Sequence, residues 1–281
     1  MSFLISPEKA VQLVHHPDYL FFDATFLLPN MNRDAAAEYQ DKHIEGAQFF
    51  DIDAIADTSS DLPHMVPHAS DFTQMVQALG ICKHHKLIFY DQSPFLSAAR
   101  AWWLLRLFGK EDVYVLDGGL SGFIAAGGLT TNQLPPPCQK GDFEASTPLA
   151  HMITFDALKQ EIVEGKTPQI VDARPSGRFY GTVPEPRAGL RSGHMPGAIN
   201  VPVTDILHPD TGAVLERDRL KEIFETAGFD FSRPAITSCG SGVTAAGLTL
   251  ALAECGKFDI ALYDGSWAEW GASDAPIICD A

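Results

Sequence analysis

Phe21-Phe22-Asp23-Ala24 returns 149 residues later as Ile170-Val171-Asp172-Ala173, and three more blocks return in the same order. His43-Ile44-Glu45-Gly46-Ala47 is matched by His194-Met195-Pro196-Gly197-Ala198 at an offset of 151. Leu87-Ile88-Phe89-Tyr90-Asp91 is matched by Ala235-Ile236-Thr237-Ser238-Cys239 at 148, and Asp117-Gly118-Gly119 by Asp264-Gly265-Ser266 at 147. Self-similarity at a nearly fixed period marks a duplicated structural unit rather than a chance sharing of short apolar runs. With 281 residues and 46% apolar side chains, the chain has enough material for two cores of ordinary size. Between the copies, residues 132–150 carry Pro135-Pro136-Pro137, Gly141 and Pro148 and show little apolar periodicity. Three consecutive prolines favour an extended segment and offer no donors to a sheet. The expected division is a first domain at 1–131, a linker at 132–150 and a second domain at 151–281.

Within each copy, short β-rich runs alternate with helical patterns. In the second, residues 154–164 place Phe155, Leu158, Ile162 and Val163 at helical spacing, with Thr154 or Asp156 as the cap. Gln169-Ile170-Val171-Asp172 then reads as a strand, as does Ala198-Ile199-Asn200-Val201. A helix is expected at about 218–227, a strand at 235–238, a second helix at about 244–254 and a strand at 260–263. Such alternation predicts an α/β fold in which each copy is a parallel sheet flanked by helices. In open sheets of that kind the chemistry lies beyond the carboxyl ends of the strands, where Asp172 and Cys239 fall.

A formal net charge of -16 is a poor match for a polyanion, which sets nucleic acid and acidic membrane surfaces aside as partners. The first residues lack a basic segment, and Phe3-Leu4-Ile5 is too short an apolar run for a signal peptide. No apolar stretch approaches the roughly 18 residues of a membrane span, so a soluble cytoplasmic protein is expected. Cysteines at 82, 138, 239, 255 and 279 form no CxxC pair, and by spacing they suggest neither a disulfide framework nor a zinc site. Cys82 and Cys255 sit among apolar neighbours and read as small buried hydrophobes.

Cys239 differs from the others because Ser238-Cys239-Gly240-Ser241-Gly242-Val243-Thr244 joins a short β run to a helix. Two glycines let the backbone curl so that successive N–H groups point at one centre, and the helix that follows adds its positive end. A thiolate in such a cradle is stabilised by hydrogen bonds and by the dipole.

Asp172-Ala173-Arg174, Gly193-His194-Met195-Pro196-Gly197-Ala198, the CGSGVT loop and Tyr263-Asp264-Gly265-Ser266-Trp267-Ala268-Glu269-Trp270 together resemble the rhodanese superfamily, over nearly all of both copies. The resemblance is to its tandem-domain members with a CGSGVT loop, the branch that takes sulfur from 3-mercaptopyruvate. Thiosulfate-using members show a CRKGVT-like loop. What the resemblance implies is a sulfurtransferase with Cys239 as the persulfide-forming nucleophile, needing no metal or organic cofactor. It makes Arg178 and Arg187 the substrate-binding arginines, with the loop residues Gly240, Gly242, Val243 and Thr244 beside them. It implies a proton relay of Ser241, His64 and Asp53. The expected partners are a small-molecule sulfur donor and a thiol acceptor such as thioredoxin. The chemistry of the residues agrees. Gly240 and Ser241 bring no cation to a compact dianion, whereas two arginines outside the loop suit the carboxylate and carbonyl of a 2-oxo acid. On the residues alone, Arg178 and Arg187 read more readily as ordinary surface arginines paired with a local acid such as Glu185, a reading that the resemblance reverses. In the first copy Asp91 stands at the nucleophile's position, and a carboxylate cannot carry a persulfide. That copy is expected to be catalytically silent.

Overall fold

The computed structural model describes residues 2–146, 151–166 and 168–280. The last four positions of the expected linker, 147–150, lie outside the described residues. The chain packs as two compact units. One comprises Met1–Asp57, Val66–Pro148 and His208–Val214, and the other Thr58–Met65, Leu149–Leu207 and Leu215–Ala281. Two short segments therefore pack with the unit built from the other half of the chain, and one of them contains His64.

The first unit holds β1 (Leu4–Ile5), β2 (Tyr19–Asp23), β3 (His43–Ile44), β4 (Gln48–Phe49), β5 (Lys86–Tyr90), β6 (Val113–Leu116) and β7 (Thr130–Thr131). Its main sheet runs β1-β6-β5-β2-β4, all parallel, and β3 with β7 forms a small antiparallel pair. The second unit holds β8 (Met152–Ile153), β9 (Gln169–Asp172), β10 (Ala198–Asn200), β11 (Ala235–Ser238) and β12 (Ile260–Tyr263). Read from the same end, its order is β8-β12-β11-β9-β10, again parallel. The repeat seen in the sequence is thus a repeat of topology, strand for strand.

Helices cover both faces of each sheet, which is why the strands are apolar in continuous runs instead of alternating. In β2, Phe21 packs with Ala10, Leu13, Leu120 and Phe123 on one face. The next residue, Phe22, faces the other way, with Phe89 stacked on it at 5.3 Å and Phe50 edge-on at 6.5 Å. Full burial of one such side chain stabilises by roughly 1.5–3 kcal/mol. In the second unit Ile170, Ile236 and Tyr263 meet Leu158, Trp267 and Trp270. On the opposite face Thr237 shares a 2.8 Å hydrogen bond with Thr249.

The expected helix at 154–164 spans Phe155–Val163, with the Thr154 side chain accepting the Ala157 N–H as its cap. The one expected from Thr244 begins at Val243, because Gly242 takes a left-handed φ of 79° and turns the chain into the helix one residue earlier. That helix is buried on nearly every side, so it lacks the polar stripe by which a surface helix is read. No helix among the described residues is long and apolar enough to cross a membrane.

One expectation about cysteine needs correction. Cys82 is only partly buried, whereas Cys255 is buried as expected. The turn after Cys82 also gathers the ligand atoms of Cys82, His84 and His85 within 4.8 Å of one another, a cluster that spacing rules for zinc motifs do not describe. As folded, His85 Nδ1 accepts the Cys82 N–H at 3.0 Å, so the lone pair on that nitrogen is already in use.

Candidate active site

Cys239 sits one residue beyond β11, whose last residue Ser238 pairs with Asp172 of β9, so both land at the carboxyl edge of the second sheet. It is 1% exposed. The loop is held by Ser266. Its Oγ accepts the Cys239 N–H at 3.1 Å and the Gly242 N–H at 3.2 Å, and donates to the Tyr263 carbonyl at 2.8 Å. From the short helix Ser266–Trp270, the Trp267 N–H donates to the Cys239 carbonyl and the Ala268 N–H to the Gly240 carbonyl, both at 2.9 Å. The N–H groups expected to converge on the sulfur are thus partly committed, two of them to a hydroxyl. Ser266 has a left-handed φ of 49°, as does its counterpart Gly119 at 56° in the first copy. A serine bears a steric cost there of roughly 1–2 kcal/mol, which its two accepted hydrogen bonds offset. Sequence reading did not single out Ser266. The signal was its place in the Asp-Gly-Ser block aligned with Asp-Gly-Gly.

The structure brings most of the expected site residues of the second unit together. Ser241, 7% exposed, has its Oγ 3.1 Å from His64 Nδ1; which of the two donates depends on the histidine tautomer. His64 is itself buried and left-handed at φ 60°. Gly242 and Val243 are buried and Thr244 half-buried at the start of the helix. Asp53 belongs to the first unit, where it is exposed and donates its N–H to Asp51 Oδ1 at 3.0 Å.

Arg178 lies against the loop, since a Cβ at Gly240 would stand 3.2 Å from its Nη2. The local acidic partner considered for it is real. Glu185 Oε2 accepts from Arg178 Nε at 3.1 Å and Nη2 at 2.5 Å, while Oε1 accepts from Arg174 Nη1 at 2.9 Å. Arg174 in turn binds both Asp172 oxygens and the Gly193 carbonyl, and its guanidinium lies 4.0 Å over the Trp267 ring. The side chains of Asp172, Arg174 and Glu185 are at most 1% exposed. Opposite charges so placed hold each other, and losing one would strand another in a dry interior. Arg187 is half-buried and makes no hydrogen bond or ion pair among the described residues.

The equivalent loop of the first unit is closed by its own anion. Asp91 accepts the Ala98 N–H at 2.7 Å with one oxygen, and the Ser93 N–H and hydroxyl at 3.1 Å with the other. Burial outweighs these hydrogen bonds and pushes the Asp91 carboxyl up to about 6. An acid raised in the folded state costs stability once ionised, so that cost is absent below the unfolded value near 3.8 and complete above about 6. At ~1.4 kcal/mol per unit, the penalty is about 3 kcal/mol. The unfolding free energy of wild type relative to Asp91→Asn should therefore fall by about that amount between pH 4 and pH 8. Urea titrations of both proteins across this range check it, and a flat difference would contradict the assignment.

The family model for the rhodanese-like domain matches twice, at residues 6–126 and 154–273. The chain is 40% identical over 279 residues to the 3-mercaptopyruvate sulfurtransferase of Escherichia coli K12, covering 98% of each protein. It is 38% identical over 257 residues to the thiosulfate sulfurtransferase of Mus musculus, covering 90% of this chain and 85% of that one. Among solved structures, the crystal structure of SseA from Escherichia coli superposes with a TM-score of 0.85 at 38% identity, covering 95% of this chain and 99% of SseA.

Proposed function

The chain belongs to the rhodanese-like family, twice over, and from that premise we propose that it moves sulfur from 3-mercaptopyruvate through a persulfide on Cys239 to a thiol acceptor, releasing pyruvate. The observation that carries this reading is the arrangement around the loop. A buried cysteine at a sheet's carboxyl edge has a hydroxyl–imidazole pair, Ser241 and His64, within its own unit and the guanidinium of Arg178 beside Gly240. Identity to the Escherichia coli 3-mercaptopyruvate sulfurtransferase over nearly the whole of both chains supports it.

The Cys239 thiolate attacks the thiol sulfur of the donor, forming an S–S bond. The C–S bond breaks with its electron pair going to the carbon side, and pyruvate leaves as its enolate, which then takes a proton. Arg178 and Arg187 orient the carboxylate and carbonyl and spread the charge that grows on the enolate oxygen. Gly240, Gly242, Val243 and Thr244 shape the loop around the sulfur. Ser241 manages the proton with His64. The persulfide then passes its sulfur to a thiol such as reduced thioredoxin, or to cyanide in an assay. Residues 1–131 form the silent domain, 132–150 the linker and 151–281 the catalytic domain, a division that the two family matches support. We place the reaction in the reducing cytoplasm, a reading supported by five cysteines that are all unpaired.

Steady-state release of pyruvate from 3-mercaptopyruvate, set against release of sulfite from thiosulfate, tests the donor. The expected result is a higher kcat/KM for 3-mercaptopyruvate. A preference for thiosulfate would overturn the donor while leaving sulfur transfer standing. In the same assay, Ser241→Ala should change the pH profile of pyruvate release, and an unchanged profile would remove Ser241 from the relay.

A further inference from the structure

Cys82-Lys83-His84-His85 matches no zinc motif, because such motifs count residues along the chain and this cluster is made by a turn. The His85 N–H donates to the Cys82 carbonyl at 3.2 Å, closing a four-residue turn immediately before β5. A closed turn brings its first and last residues together, and here His84 joins them. The ligand atoms of Cys82, His84 and His85 lie within 4.8 Å of one another, and the two imidazole rings have centroids 4.2 Å apart. The turn is laced to its surroundings. The Gly141 N–H donates to the Gln77 carbonyl at 2.8 Å, the Phe143 N–H to the Ile81 carbonyl at 3.2 Å and the Lys83 N–H to Asp142 Oδ1 at 2.7 Å. The backbone is thereby held, while the side chains keep room to close, with His84 exposed and Cys82 and His85 half-buried. In a tetrahedral site of one sulfur and two nitrogens the ligand atoms stand closer than this, so closing needs about 1 Å of side-chain movement.

The electrostatics suit a cation. The Cys82 thiol faces two acceptors, the Gly80 carbonyl at 3.7 Å and the Asp142 carboxylate. A thiolate among acceptors is repelled, and a metal ion in place of the thiol proton removes that repulsion. Two lysines flank the turn, but Lys83 is paired with Glu144 at 3.3 Å and Lys110 donates to the Lys83 carbonyl at 2.8 Å. We propose that Cys82, His84 and His85 form a binding site for a borderline divalent cation of the Zn²⁺ class, with water at the fourth position and Asp142 as the neighbouring counter-charge. Thiolate and imidazole select such ions, whereas Mg²⁺ and Ca²⁺ require oxygen ligands. Binding forms a sulfur–metal bond and releases the Cys82 thiol proton to solvent. It also requires His85 to give up the hydrogen bond that its Nδ1 accepts from the Cys82 N–H, either by lending that lone pair to the ion or by moving its ring proton there. One hydrogen bond is a small cost against three metal–ligand bonds. All of these residues belong to the first unit, so the site stands or falls independently of the donor reading.

Co²⁺ reports such a site, because a tetrahedral ion with a thiolate ligand shows visible d–d bands and a near-ultraviolet sulfur-to-metal charge-transfer band. Metal-free full-length protein, wild type or Cys239→Ser, should develop both on titration with Co²⁺, and Zn²⁺ should bleach them. Cys82→Ser, built on Cys239→Ser so that the loop thiol contributes nothing, should lose the charge-transfer band. His84→Ala on the same background changes an exposed side chain and leaves the fold alone. It should weaken Co²⁺ binding by at least about a hundred-fold, since even the partners behind metal ligands are worth roughly 10–100-fold. The site is overturned if the bands fail to form in Cys239→Ser, if the charge-transfer band survives Cys82→Ser, or if His84→Ala binds Co²⁺ as tightly as its parent.

Discussion

Cys239→Ser is expected to abolish sulfur loading and turnover, to below detection, while leaving the fold intact. Serine is close to cysteine in volume and can occupy a buried site whose neighbours are the hydroxyl of Ser266 and a turn of backbone. Its oxygen cannot carry sulfane sulfur, so the first half-reaction has no product to form. The other thiols are not substitutes. Burial pushes the Cys255 thiol up to about 11, which keeps it protonated and a poor nucleophile at neutral pH. Cys82, Cys138 and Cys279 lie in turns and extended segments, with no strand end and helix start around them. Intact-protein mass spectrometry after exposure to 3-mercaptopyruvate should show a gain of one sulfur atom in wild type and none in Cys239→Ser, with the same thermal unfolding transition in both. Peptide mapping should place that sulfur on the loop. Turnover retained in Cys239→Ser, or sulfur found on Cys82 or Cys255 in wild type, would overturn the mechanism.

Much of this was legible because duplication writes each constraint twice. Asp117-Gly118-Gly119 and Asp264-Gly265-Ser266 could be aligned before anything was known of their conformation. The structure shows why the match is physical. Gly119 and Ser266 both take a left-handed φ. The residue after each donates its N–H to the carbonyl of Asp91 or Cys239. The loop was legible for a similar reason, since glycines between a β run and a helix carry a local geometric meaning. What could not be read is what side chains do across long separations. Glu185 looked like a neighbour competing for Arg178, and its second oxygen, bound to Arg174, depends on how the chain folds back from β9. His64 falls in the first half of the sequence, yet Thr58–Met65 packs with the second unit, and no periodicity marks a segment that changes sides. Cys82, His84 and His85 come together through a tight turn, so their proximity arises from backbone conformation that no spacing rule includes.

Arg187→Ala should give the second large effect, lowering kcat/KM for 3-mercaptopyruvate by roughly ten- to a thousand-fold, the cost of losing one charge-assisted contact to a carboxylate. Arg187 is a cleaner test of donor binding than Arg178. Removing Arg178 also frees one oxygen of the buried Glu185, so its loss would combine binding with a structural penalty. Arg187 has no partner among the described residues to strand. Its removal should therefore leave the unfolding temperature unchanged, and the defect should appear mainly in KM if the contact is made equally in ground and transition states. A fall confined to kcat would place the contact on the developing enolate instead. Arg187→Lys should recover part of the loss, because lysine supplies the charge without the planar fork that can hold a carboxylate through two parallel hydrogen bonds. Wild-type kcat/KM in Arg187→Ala would remove this residue from the donor site.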